Sequence, residues 1–212
     1  MYKTLYFLTE GMLNIDTSKN LLYQAATLWR DLIKYRYVFT YGYKRRTYDI
    51  YLIFDESQFS HLAGFQYLKD LQLPKYNSKK IMEKVLDQKI KQEQIEKGKQ
   101  YNEMVKPRLE ALIHLQEGLD SEFQLFAYEK RNCPFSTTID ANYLISYSCG
   151  DKSFLFVAEE NTRCTYICRS AFLKGERDYE SNQRKVTLLR KERIYIPSGE
   201  SIVYLDNIKV KS

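Results

Sequence analysis

The sequence predicts an α+β fold made of an N-terminal helix and β-hairpin, an inserted helical region and a C-terminal antiparallel sheet. Three observations predict it. Apolar residues recur at helical spacing over 18–34 and again over 57–71. The period changes to two from Glu122 onward. The strands of the second half have no helices between them, which disfavours a parallel α/β sheet. At 212 residues, 44% of them apolar, the chain can bury one sizeable core and cannot hold several. It reads as a single domain, 1–212, with 77–119 as a helical insertion.

Each element has a local reason. Asp16, Thr17 and Ser18 offer capping oxygens ahead of an apolar stripe formed by Leu21, Leu22, Ala25, Leu28, Trp29, Leu32 and Ile33, which predicts a helix over 18–34. Residues 35–43 then alternate, with Tyr37, Phe39, Tyr41 and Tyr43 on one side, and 48–54 alternate likewise. Lys44, Arg45 and Arg46 turn between them, giving a β-hairpin. Asp55, Glu56 and Ser57 cap a second helix over about 57–71, which Pro74 ends. Residues 77–119 are polar and helical, with a weak stripe (Ile81, Val85, Leu86, Ile90) and a better one (Met104, Val105, Leu109, Leu112, Ile113). Gly98 and Pro107 interrupt them, so two helices or one broken helix is expected. Candidate strands follow at 123–128, 143–148, 154–158, 164–168, 186–189, 194–196 and 202–205, separated by Pro134, Gly150, Gly175, Pro197 and Gly199.

Composition excludes several classes. Only 8 Gly and 4 Pro rule out collagen-like and low-complexity chains. No apolar run approaches the roughly 20 residues of a membrane span. The N-terminus lacks a small-residue cleavage pattern, so a cytoplasmic protein is expected. The four cysteines, in a chain large enough not to need staples, read as free thiols. With two histidines and no Cys-x-x-Cys pair, no metal site is expected. Gly-x-Gly-x-x-Gly and Walker patterns are absent, so no nucleotide cofactor is expected either.

Charge is patterned within a net +6. Residues 28–46 carry six basic residues against one acid, 75–108 carry ten against five, and 163–193 carry nine against four. Lys44, Arg45 and Arg46 lie among Tyr41, Tyr43 and Tyr48, a combination that suits a phosphate-bearing ligand with unstacked bases. A tyrosine-rich hairpin with a solvated turn gives the same pattern.

Three places carry candidate chemistry. His61 lies in Phe-Ser-His-Leu-Ala-Gly-Phe, where a titrating side chain and a glycine inside a helix fit either a reactive site or a tightly packed, hydrogen-bonded histidine. Arg169 and Ser170, in Cys-Arg-Ser-Ala-Phe at a strand end, offer a guanidinium fork and a hydroxyl for phosphate. Tyr179, Gln183 and Lys185 lie in a polar run that enters a strand and offers donors at the mouth of a sheet. His114 is read as structural.

The order of helix, hairpin, Phe-x-His-Leu-x-Gly helix, Cys-Arg-Ser-Ala-Phe and Tyr-x-x-x-Gln before a terminal strand resembles a phage-associated nuclease family of the barnase, EndoU, colicin and RelE-like group. The resemblance covers most of the chain outside 77–119. It implies helices followed by an antiparallel sheet, and metal-independent RNA cleavage of the kind found in toxins and anti-phage systems. By motif position it implies His61, Arg169, Ser170, Tyr179 and Gln183 as inherited polar residues. On that basis His61 is expected to move the proton and Arg169, with Lys185, to stabilise the phosphorane. Ser170, Tyr179 and Gln183 are expected to orient phosphate or base, and Lys44, Arg45 and Arg46 to bind substrate. RNA is the expected partner, whether tRNA or ribosome-associated mRNA, with an antitoxin or defence-complex partner docking through 77–119. The alternative is a non-catalytic nucleic-acid- or protein-binding protein of phage or phage-defence origin, which makes no demand on His61.

Overall fold

A computed structural model describes residues 20–73, 77–160 and 164–208. The first helix, α1, runs Leu21–Leu32, and Asn20 caps it by accepting from the Tyr23 N–H at 2.9 Å. The predicted caps Asp16, Thr17 and Ser18 lie outside the described residues. The stripe read from the sequence is the face that packs, with Leu22, Ala25, Trp29 and Leu32 all buried.

The hairpin consists of β1 (Tyr35–Tyr43) and β2 (Arg46–Ile53). Its turn is the two residues Lys44 and Arg45, both at positive φ, 47° and 63°. That handedness matches the twist of the flanking strands.

The second helix is shorter than its periodicity suggests. α2 covers Glu56–Leu62, capped by Asp55, which accepts from the Ser57 N–H. Gly64 stands at φ +85°, past the end of the helix and not inside it, and one 3-10 turn, Phe65–Tyr67, follows. Glycine enters the left-handed region without penalty, so it stops the helix well before the proline expected to do so. Pro74 itself lies outside the described residues.

Residues 78–120 form α3 (Ser78–Leu86), α4 (Gln92–Ile95), α5 (Lys106–Ile113) and α6 (Leu115–Asp120), with a π-type turn, Tyr101–Val105, leading into α5. Pro107 sits in the first turn of α5, where its missing N–H is harmless. Ile81, Val85, Ile95, Leu109, Leu112 and Leu119 join the same apolar cluster as Tyr37, Phe39, Ile50 and Leu52 of the hairpin.

The remaining strands are β3 (Phe123–Ala127), β4 (Tyr143–Cys149), β5 (Asp151–Glu159), β6 (Thr165–Leu173), β7 (Arg184–Tyr195) and β8 (Ser201–Asp206). The order β1-β2-β6-β5-β4-β3-β7, with β1 pairing β7, closes seven strands into a barrel, and β8 adds to β7. Three expectations are corrected. The hairpin is not separate from the C-terminal sheet but supplies two barrel strands. The sheet is not wholly antiparallel, because β2 and β6 run parallel. The segments 186–189 and 194–196 are one strand, since β7 stays paired with β1 throughout. Closure removes the unpaired edges that an open sheet would leave on these strands.

Inward-facing residues of the barrel strands meet the helices in one cluster, including Phe39 and Phe59 at 0% exposure. Each fully buried side chain of this size contributes roughly 1.5–3 kcal/mol. The opposite face of β3–β5 carries a second cluster of Phe126, Leu144, Phe154 and Phe156.

Candidate functional site

His61 lies on the last turn of α2, which packs on β6. The neighbouring stretch of β6 is irregular. Ser170 pairs with Phe156 and Cys168 with Val157, so Arg169 is the extra residue of a β-bulge. The sequence placed Arg169 and Ser170 at a strand end, whereas β6 continues to Leu173. The register shift explains why 164–168 looks like the whole strand: after Cys168 the alternation breaks. A bulge leaves its extra residue out of the ladder and re-aims its side chain.

The Arg169 backbone favours the protonated His61 ring. Burial is the largest influence on His61, followed by the positive charge of Arg108, with Arg169 adding a smaller push, and together they hold its pKa below the ordinary 6.5. A neutral imidazole carries one N–H donor and leaves its other nitrogen as an acceptor. The side chain remains open to solvent on one side.

Arg108 completes the group. It is only 8% exposed. One guanidinium nitrogen donates to the Met104 carbonyl at 2.7 Å, and another to the Tyr67 hydroxyl at 3.3 Å. The fork stacks over the Tyr67 ring at 4.8 Å and faces Phe172 at 5.4 Å. Among the described residues no carboxylate pairs with it, and burial lowers its pKa. Burying a guanidinium without an anion is costly, and a ligand that supplies the missing charge offsets that cost. The π-type turn that carries Met104 is a geometry frequent at functional sites.

Gly64 permits the approach. A Cβ there meets Arg108 Cδ and the Met104 carbonyl, both at 3.2 Å, besides being strained at φ +85°. The glycine thus admits another backbone close by, as its place in the motif suggests, though from beyond the helix end.

His61, Arg108, Arg169 and Ser170 line one cleft of about 530 Å³, with Tyr67, Asp140 and Asn142 on its walls. His61 and Arg169 also line a second cleft of about 490 Å³ beside Gln58 and Lys79. They form the wall between the two.

The other sequence candidates lie elsewhere. Tyr179 is buried in the second apolar cluster, its ring 4.9 Å from Phe135 and 5.2 Å from Phe156. Gln183 commits its amide to backbone, accepting from the Glu129 N–H at 2.8 Å and donating to the Glu129 carbonyl at 3.1 Å. Lys185 is exposed on β7 opposite Phe126. Lys44, Arg45 and Arg46 stand at the hairpin tip, and at about 3.3 Å per residue the length of β2 puts them roughly 20 Å from its Ile53 end.

Sequence reasoning missed Arg108 and Tyr67. Arg108 had a signal: it interrupts the stripe of Val105, Leu109 and Leu112 at the spacing of an apolar position. Among the described residues, no three of His, Cys, Asp and Glu converge as metal ligands. All four cysteines are free.

A neutral imidazole and two guanidiniums in an open cleft suit chemistry on a phosphodiester, and the class to which this arrangement points is nuclease. The chain belongs to the phage-Barnase-EndoU-ColicinE5/D-RelE like nuclease4 family, whose model matches residues 21–207. No curated protein and no solved structure matches it. The family makes nucleic acid the substrate. Among the described residues no helix is long and apolar enough to cross a membrane.

Proposed function

We propose that this nuclease is an endoribonuclease that needs no metal and cleaves by attack of a 2′-hydroxyl on the adjacent phosphate. The observation that carries the reading is Arg108, a buried cation without a carboxylate, beside a neutral His61. The free nitrogen of His61 takes the 2′-hydroxyl proton, the 2′-oxygen bonds to phosphorus, and the bond to the 5′-oxygen breaks. The products are a 2′,3′-cyclic phosphate and a 5′-hydroxyl, the leaving oxygen taking its proton from the solvent to which the cleft is open. Arg108 and Arg169 neutralise the non-bridging oxygens as charge accumulates, and Ser170 and Tyr67 fix their orientation. RNA is favoured over DNA because its nucleophile is built in. One base and two cations suffice, whereas DNA needs a separately positioned water.

The phage association of the family supports a toxin or anti-phage role in the cytoplasm, against tRNA or ribosome-associated mRNA, with an antitoxin engaging 77–119. The test is incubation of purified protein with total RNA and with single-stranded DNA of matched length, in EDTA. RNA fragments ending in cyclic phosphate, lost in His61→Ala, are expected. Equal cleavage by His61→Ala, or cleavage of DNA alone, overturns the assignment.

A further inference from the structure

The hairpin tip and the start of β7 come together at the end of β2 far from His61. Tyr43 pairs with Arg46 across the hairpin, and Gly42 pairs with Thr187 of β7. Arg184 lies 4.1 Å over the Tyr43 ring, and the Lys44 ammonium lies 5.1 Å from the same ring. Two basic blocks far apart in sequence thus meet around one tyrosine. Lys44, Arg45, Arg46 and Arg184 are all exposed. Among the described residues none of the four is paired with a carboxylate, and the acids nearby are engaged. Glu129 is held by Arg131 at 2.6 Å, and Asp49 accepts from the Thr40 hydroxyl at 2.6 Å.

Beside these cations stands a ring that is stacked on one side only. Tyr48 lies on Tyr41 with centroids 5.4 Å apart and planes at 18°, yet remains 40% exposed. Tyr41 is fixed from beneath, its hydroxyl 2.6 Å from that of Tyr143. The stack is therefore rigid at its base and open at its top. A nucleobase placed on Tyr48 extends it, and the neighbouring guanidiniums meet the adjoining phosphates. Neither half of this arrangement depends on which base is present.

We propose that the Tyr48 face with Lys44, Arg45, Arg46 and Arg184 is a second binding site for single-stranded nucleic acid, holding the substrate several nucleotides away from the bond cut at His61. Tyr48 is roughly 17 Å along β2 from Ile53 at the usual strand rise, and Ile53 pairs with Ile167, just before Arg169. One strand spans both places only if it is long enough. The device selects extended substrates over short ones, and it rests on the nuclease family but not on the RNA assignment.

The test measures affinity, by fluorescence anisotropy, of His61→Ala protein for labelled single-stranded RNA and DNA, each as a dinucleotide and as an oligonucleotide several times longer. The long oligonucleotides are expected to bind more tightly. Tyr48→Ala is expected to remove roughly 5- to 150-fold of that advantage, the range for one stacked base. Tyr48→Phe, which keeps the ring, is expected to restore it. Arg46→Gln with Arg184→Gln is expected to flatten the salt dependence by roughly 0.7 in log–log slope for each phosphate no longer neutralised. An unchanged length advantage in Tyr48→Ala and in the double glutamine variant overturns the proposal, as does equal loss in Tyr48→Phe. Length-dependent binding to DNA and RNA alike, by a wild type that cuts neither, supports this site while removing the ribonuclease reading. RNA cleavage with no length advantage does the reverse.

Discussion

Arg108 and Arg193 both sit against aromatic rings, and their surroundings differ in one respect. Arg193 donates to the Asp120 carboxylate at 2.5 Å, and the other carboxylate oxygen accepts from the Tyr37 hydroxyl at 2.7 Å. Lys191 closes the cluster by donating to the Asp120 carbonyl at 2.8 Å and to that of Ser121. Burial and the Asp120 charge push the Tyr37 phenol far above its ordinary range, so it stays a donor. Arg108 has a carbonyl, a hydroxyl and two rings, but among the described residues no anion. Arg193 has a carboxylate partner in Asp120, and its group ties β7 to β1 and to the end of α6. Arg108 has no such partner among the described residues, and it borders the cleft that holds His61. Cavity size does not separate them, because the larger hollow, about 780 Å³, lies beside Asp120. A carboxylate partner does.

The sharpest way to break this contrast is to replace each arginine with methionine, which keeps an apolar stem without the charge. Arg108→Met is expected to lower kcat/KM about 10²–10³-fold, the usual loss when one stabilising donor leaves a transition state. Its melting temperature is expected to hold or rise, since an unpaired buried cation has gone. Arg193→Met is expected to do the opposite, losing about 3 kcal/mol in urea unfolding because the half-buried Asp120 is left without its cation, with nuclease turnover per folded molecule intact. A drop in stability for Arg108→Met as large as that for Arg193→Met removes the distinction.

A smaller effect is expected at Gly64. Gly64→Ala forces a left-handed alanine, at a cost of about 1–2 kcal/mol, and it crowds the Arg108 stem. Activity is expected to fall by more than the folded fraction, measured by circular dichroism on the same samples. Proportional loss makes the glycine a helix terminator alone.

The smallest effect is the most specific. His61 and His114 are the two histidines of the chain, so their ring protons are separable in an NMR titration. His61 is expected to titrate below the ordinary 6.5, and Arg108→Met is expected to move it upward by removing the second-largest depressing influence. The base form of His61 is present at neutral pH and is lost as pH falls through its depressed pKa. The acid limb of kcat/KM therefore lies below the usual imidazole value. Because the unfolded chain takes up that proton first, His61 also subtracts stability on acidification, and His61→Gln is expected to resist acid slightly better. A His61 pKa at or above the ordinary 6.5 refutes both expectations.

Much of the fold was legible in residue spacing. The apolar stripe of α1, the alternation of β1 and β2, and the strands of the second half all follow from side-chain period, which is a local property. The end of α2 was less legible, because Gly64 reads as a helix interruption until its positive φ is known. The break at Arg169 was invisible, since a bulge is defined by the partner strand. On the site, His61 and Arg169 stood out by residue type and motif, and the structure brings them together with Ser170. Tyr179 and Gln183 looked like ligands because they are polar and flank a strand, yet one is packed among phenylalanines and the other is bonded to Glu129. Arg108 passed unnoticed within a run of lysines and glutamates whose charge disguised one inward position.

The sequence by itself determined the type and order of most elements, the presence of the barnase-like motifs and the three basic blocks, because each is written in neighbours along the chain. Only the tertiary structure decided that the sheet closes into a barrel, that Arg108 stands beside His61 with no carboxylate partner among the described residues, and that the hairpin cations join Arg184 far from the cleft. Those facts depend on long-range register and on which charges lose water together, and neither is set by any one stretch of residues.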